Sequence, residues 1–107
     1  MSDAYSATLK LLQGRFIDGL PEMLRPVKET LGRENVELAE IHDLHRILHE
    51  AAGNAGMLGF TDLHRLLKDA LRMLETAEAE NRTLTDPERN ALIVALAGIM
   101  RAREAAL

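Results

Sequence analysis

The feature that most constrains this chain is the spacing of its apolar residues, which recur every three or four positions almost from end to end. Tyr5, Leu9, Leu12 and Phe16 open the pattern, and Leu20, Met23, Leu24, Val27 and Leu31 continue it. That period matches the 3.6-residue turn of an α-helix, and no stretch alternates with the period of two that a strand requires. Pro21 and Pro26 interrupt the first stripe. A proline inside a helix removes a donor and crowds the preceding turn, so the spacing predicts a short first helix and then a kinked or restarted second. Gly32 is placed to stop it, since glycine accepts the left-handed conformation that ends many helices.

Asn35 can cap the next helix, whose stripe runs through Ile41, Leu44, Ile47, Leu48 and Ala51. Its end is blurred by Gly53, Gly56 and Gly59. Thr61 or Asp62 can cap a following helix carrying Leu63, Leu66, Leu67, Ala70, Leu74 and Ala77. Thr85-Asp86-Pro87-Glu88 combines a capping box with proline in the first turn, and it starts the last helix. There Leu92, Leu96 and Ile99, with Ile93, Ala97 and Met100, are expected core. Amphipathic helices with short connections imply an all-α fold, an antiparallel four-helix bundle with a short additional N-terminal helix. Only Tyr5, Phe16 and Phe60 are aromatic, so Leu, Ala, Ile and Met must fill its core. The 107 residues make one domain, 1–107.

Composition excludes several functions. With no cysteine there are no disulfides and no thiolate metal sites. A net charge of −4, mixed in sign along the chain, argues against a duplex-binding surface, and the few aromatics against base stacking. Met1-Ser2-Asp3-Ala4 lacks the regions of a signal peptide, and no apolar run is long enough to span a bilayer, so the expected compartment is the cytoplasm, without membrane contact. No Gly-rich phosphate loop, Ser-His-Asp set or paired-carboxylate motif is present.

The chemistry concentrates in four histidines, His42, His45, His49 and His64. On a wheel of ~100° per residue, His42, His45 and His49 lie just beyond one edge of the apolar stripe of their helix. Ala52, Gly53 and Gly56 follow His49 at three, four and seven positions and share its face. Glycine in a helix interior costs about 1 kcal/mol relative to alanine, so two on one face suggest a steric requirement, room for another protein to approach the imidazole. Close helix packing is the plainer reading of the same glycines. Neutral imidazole is a good nucleophile near pH 7, which suits a phosphoryl carrier. A metal site on His42, His45 and His49 is disfavoured: they spread over ~10 Å of helix rise, with no evident fourth ligand.

The segment from Leu44 to Phe60, LHRILHEAAGNAGMLGF, resembles the signature of histidine phosphotransfer (HPt) domains. In that family the phosphorylated histidine is followed by glycine four and ten residues later, here His49, Gly53 and Gly59, with Leu58-Gly59-Phe60 matching the turn into the next helix. A register through Arg46 fails, because a permanently protonated side chain cannot be the nucleophile. Many members carry lysine three residues after the histidine, where this chain has Ala52. His45 and Arg46 flank the site, and Lys68 on the next helix is a candidate positive charge. The resemblance implies a phosphoryl carrier rather than a turnover enzyme, a monomer relaying between receiver-domain aspartates. Its partners would be a response-regulator receiver domain, a hybrid histidine kinase, or both. It would need no cofactor of its own, the divalent metal residing on the receiver. The alternative is a non-catalytic helical adaptor or inhibitor that binds a receiver or kinase.

Overall fold

The computed structural model describes residues 3–107; Met1 and Ser2, read above as part of an N-terminus without leader features, lie outside the described residues. Four helices follow in chain order: α1 (Asp3–Leu31), α2 (Leu38–Met57), α3 (Thr61–Ala79) and α4 (Asp86–Ala105). Each packs on its neighbours in the chain, and α4 returns against α1. No strand occurs among the described residues, and no helix among them is long and apolar enough to cross a membrane.

The first stripe does not break where the prolines suggested. Asp3–Leu31 is one continuous 29-residue helix with Pro21 and Pro26 inside it, so the expected short additional N-terminal helix is merged into α1. Two terms explain this. Phe16, Ile17, Leu20, Leu24, Val27 and Leu31 are all buried on one face, each contributing about 1.5–3 kcal/mol, against roughly 3 kcal/mol of penalty per proline. The second term is local. Pro21 has no N–H for the carbonyl of Ile17, one turn earlier, and Arg103 Nε of α4 donates to that carbonyl instead, at 2.7 Å. Pro26 and the matching carbonyl of Glu22 lie on exposed residues, where water serves.

α1 is longer than its partners, and its first turns extend the stripe beyond the core. Tyr5, Leu11 and Leu12 are exposed, and burial begins at Phe16. Gln13 Nε2 donates to the carbonyl of Leu58 at 2.8 Å, and Phe16 stacks on Phe60 at 5.7 Å, so α1 is fastened to the α2–α3 turn. α4 is also less buried than expected. Leu92 and Ile99 are core and Leu96 and Met100 pack against it, but Ile93 and Ala97 are exposed. A groove of about 620 Å³, lined by Leu24, Leu31, Leu96 and Met100 among others, separates α1 from α4.

Helix ends show how local chemistry sets the boundaries. α2 starts at Glu37 rather than Asn35, with the Glu40 carboxylate accepting the Glu37 N–H at 3.1 Å. α3 starts with Phe60 at the cap position and no side-chain cap from Thr61 or Asp62. α4 starts as its sequence predicts: Thr85 Oγ1 accepts from Glu88 N–H at 3.3 Å, and Thr85 N–H donates to Glu88 at 2.8 Å. α1 stops before Gly32, although Gly32 is not left-handed. The left-handed positions are Gly59 (φ 84°) and Asn81 (φ 52°). Each follows a helix with the paired reverse bonds of a Schellman turn, Phe60 N–H to Ala55 and Arg82 N–H to Ala77.

Two predictions follow from these ties. Arg103→Met should lower stability by about 1–3 kcal/mol in urea unfolding, because it orphans the Ile17 carbonyl. Paired with Pro21→Ala, which restores a backbone donor, the loss should fall to under half; equal losses in both backgrounds would refute this account. The second concerns acid. The Arg82 guanidinium forks onto Glu88 at 2.7 and 3.1 Å, and with the Thr85 N–H it holds that carboxyl at about 2, below its ordinary 4.5. A carboxyl with a lowered folded-state pKa stabilises above its unfolded value and stops doing so as pH falls through the folded one. Stability should therefore decline from pH 4.5 toward 2, and Glu88→Gln, which retains a capping-box residue, should flatten that slope in acid-unfolding curves.

Candidate functional site

Past the Gly59 turn α3 packs on α2, and residues of α3 meet the histidine edge of α2 at two places. Near the turn, Gly56 faces His64; far from it, His42 and His45 meet Glu78. Leu48, Ala51, Ala52 and Ala55 hold α2 in the core, and this leaves His49 exposed on the flank.

His49 has no hydrogen-bond or ion-pair partner among the described residues, so neither ring nitrogen is committed. Its one ring contact is His45, a turn earlier, with centroids 6.1 Å apart and planes inclined by 27°. His45 is itself held: its Nδ1 bonds one carboxylate oxygen of Glu78, while His42 Nδ1 bonds the other at 2.8 Å. A carboxylate only accepts, so both histidines present Nδ1–H to it and keep Nε2 free.

The residues after His49 divide differently from the sequence expectation. A Cβ on Gly53 would meet nothing within 4 Å, so the space one turn beyond the imidazole is open. Gly56 instead gives its space to His64: a Cβ there would lie 2.8 Å from His64 Nδ1. That nitrogen donates to the Ala52 carbonyl at 2.8 Å, so His64 is a half-buried tie between α3 and α2. Ala52 is buried (1% exposed) and faces the core rather than bordering the imidazole. A lysine there would have to leave the core before its charge reached His49.

Arg46 is exposed and pairs with Asp43 at 3.5 Å, a solvated contact of little energetic weight. Lys68 lies one turn beyond His64 on α3, half-buried, and enters no ion pair among the described residues. Among the described residues Met57 is the most exposed large apolar side chain, at 77%, on the same outer side of α2 as Gly53; Leu48 is buried and Leu58 half-buried. Glu78 was missed in the sequence because it sits in a charged run that looks like a solvated helix end. Its signal was the hairpin itself: folding the chain about Gly59 and Phe60 brings Glu78 opposite His42. Among the described residues no group of three or more His, Asp or Glu side chains gathers around a point that suits a metal ion. Set against protein-family models, curated proteins and solved structures, the chain matches none of them.

The two glycines give opposite expectations. Gly53→Ala should stabilise the protein by about 1 kcal/mol, since alanine is the better helix former and meets no obstacle. Gly56→Ala should show no gain or a net loss, because the His64 ring must give up its bond to Ala52. Thermal unfolding of the pair decides it; similar stabilisation by both would show that Gly56 does not seat His64.

Proposed function

We propose that this chain is a histidine phosphotransfer protein that relays a phosphoryl group through His49 between receiver-domain aspartates. The observation that carries the proposal is His49 itself: an exposed imidazole in mid-helix, with both nitrogens uncommitted and open space over Gly53 beside it. The likeness of residues 44–60 to the HPt signature supports it, and Gly59 of that segment has a left-handed φ in the turn into α3.

In the reaction, the unprotonated ring nitrogen of His49 attacks the phosphorus of a phospho-aspartate on the receiver. The N–P bond forms as the P–O bond to the aspartate breaks, and the carboxylate leaves with the bonding electrons. Return transfer reverses the same exchange. The divalent metal belongs to the receiver, so this chain supplies a nucleophile, a rigid platform and an unobstructed surface. Met57 is the apolar side chain best exposed to meet the partner, and Lys68 the unpaired cation nearest the site by helix register. We propose also that the bundle is antiparallel, as the short connections and the Gly56–His64 and His42–Glu78 pairs suggest. On this proposal the chain works as a cytoplasmic monomer beside a receiver domain, a hybrid kinase, or both.

Ala52 in the place of the family's usual lysine is the observation that favours the other reading, an adaptor that binds a receiver without accepting phosphate. Phosphoryl transfer from a labelled phospho-receiver to the wild type and to His49→Gln separates them. Acid-labile, base-stable label on the wild type alone is the expected result. Binding without label across a broad panel of receivers would leave the adaptor, and equal label on the variant would remove His49. Gly53→Gln, which fills the open space, should slow transfer roughly tenfold, a loss of about 1.4 kcal/mol in the docked complex, with the fold retained in circular dichroism.

A further inference from the structure

A phosphoryl group on His49 would carry about two negative charges, and the position from which the HPt family usually answers them is here a buried alanine. What the structure sets against His49 instead is His45. Its ring stacks on that of His49, and its side chain is one-third exposed. Its Nδ1 is bonded to Glu78, whose side chain is only 18% exposed and is held a second time by His42. Each Glu78 oxygen thus takes one imidazole N–H, and the carboxylate cannot rotate without breaking both bonds.

That arrangement fixes a tautomer. With Nδ1–H committed to Glu78, the only nitrogen of His45 able to take up a further proton is Nε2, on the edge away from the carboxylate. We propose that His45 is the phosphoryl-binding residue of this site, oriented by Glu78. On arrival of the phosphoryl group, Nε2 takes a proton from solvent and donates a charge-assisted hydrogen bond to a phosphoryl oxygen. No covalent bond to His45 forms or breaks. Glu78 is a positioning residue, acting through His45, and its own charge is separated from the phosphoryl group by the imidazolium between them. The titratable groups in contact with His45 are Glu78 on α3 and His49 on α2, with His42 on the same carboxylate; Glu75, one turn before Glu78 on α3, and Arg46, next to His45 in sequence, are the exposed charges around it. The inference rests on His49 as carrier, but it concerns how the N–P bond is protected once made.

The test loads the full chain with potassium phosphoramidate, a small chemical donor of phosphoryl groups to histidine. The decay of the His49 phosphorus signal is then followed by ³¹P NMR. His45→Gln and Glu78→Gln should each shorten the lifetime at least threefold relative to wild type, while His42→Gln should change it less than either. His45→Lys, which restores a cationic donor, should recover at least half of the difference, a rescue that a packing role would not produce. In the phosphorylated wild type, a through-bond coupling between His45 Nε2–H and phosphorus is expected. Unchanged lifetime in His45→Gln, with circular dichroism showing an intact fold, would overturn the assignment; so would loss in His45→Gln without any rescue by lysine. Because the donor is not a receiver, a chain that no receiver labels still gives one of these answers, and the two readings fail separately.

Discussion

The close seam between α2 and α3 is the constraint on which the rest of the structure depends. α2 turns Ala51, Ala52 and Ala55 into the core and places Gly56 where His64 needs room. Side chains this small let two helices run close together, and the interior of a bundle has no volume to spare for looser contact. Gly59 then closes the seam: its left-handed φ lets the chain reverse within two residues, and the Phe60 N–H caps the Ala55 carbonyl. Once that hairpin is set, the histidine edge of α2 faces a stripe of α3, and every contact at the candidate site follows from the pairing. A one-turn slip would separate His42 and His45 from Glu78 and His64 from the Ala52 carbonyl.

The outer helices are tied to this seam by polar contacts at their weak points. α1 runs through two prolines, and it stays whole because burial of its stripe outweighs their penalty and because Arg103 reaches the carbonyl that Pro21 strands. At one end of the molecule Gln13 and Phe16 grip the Leu58-Gly59-Phe60 turn. At the other, Thr83 Oγ1 donates to the Val36 carbonyl, joining the α3–α4 and α1–α2 connections, and Arg89 of α4 donates to the carbonyl of Arg33. The α1–α4 side lacks such packing and keeps an open groove. The most extensive packing is therefore between α2 and α3, the helices that bear the histidines.

The four histidines show how one residue type takes different roles from position alone. His64 is spent on a structural bond to a backbone carbonyl, and His42 and His45 on a shared carboxylate. His49 alone keeps both nitrogens for chemistry. Its surroundings are a ring neighbour on one side and empty space on the other. Ala52, one turn on from His49, is turned into the core, so the side chains nearest the imidazole come from the preceding turn of α2.

The all-helical fold, the capping box at Thr85, the turn at Gly59 and the candidacy of His49 were all legible in the sequence. The fold, the capping box and the candidacy of His49 rest on local rules, the helical period, capping chemistry and spacing along one helix. The turn at Gly59 was singled out among three glycines only by the resemblance. The path of α1 through Pro21 was not legible, because the donor that replaces the missing N–H lies 86 positions away in sequence. Nor were the separate fates of Gly53 and Gly56, which look alike on a helical wheel until α3 is laid beside it. The chain by itself determined which side chains can do chemistry and which faces must be buried. Only the tertiary structure decided which histidines are already bonded, because hydrogen bonds between helices depend on a register that no single helix contains.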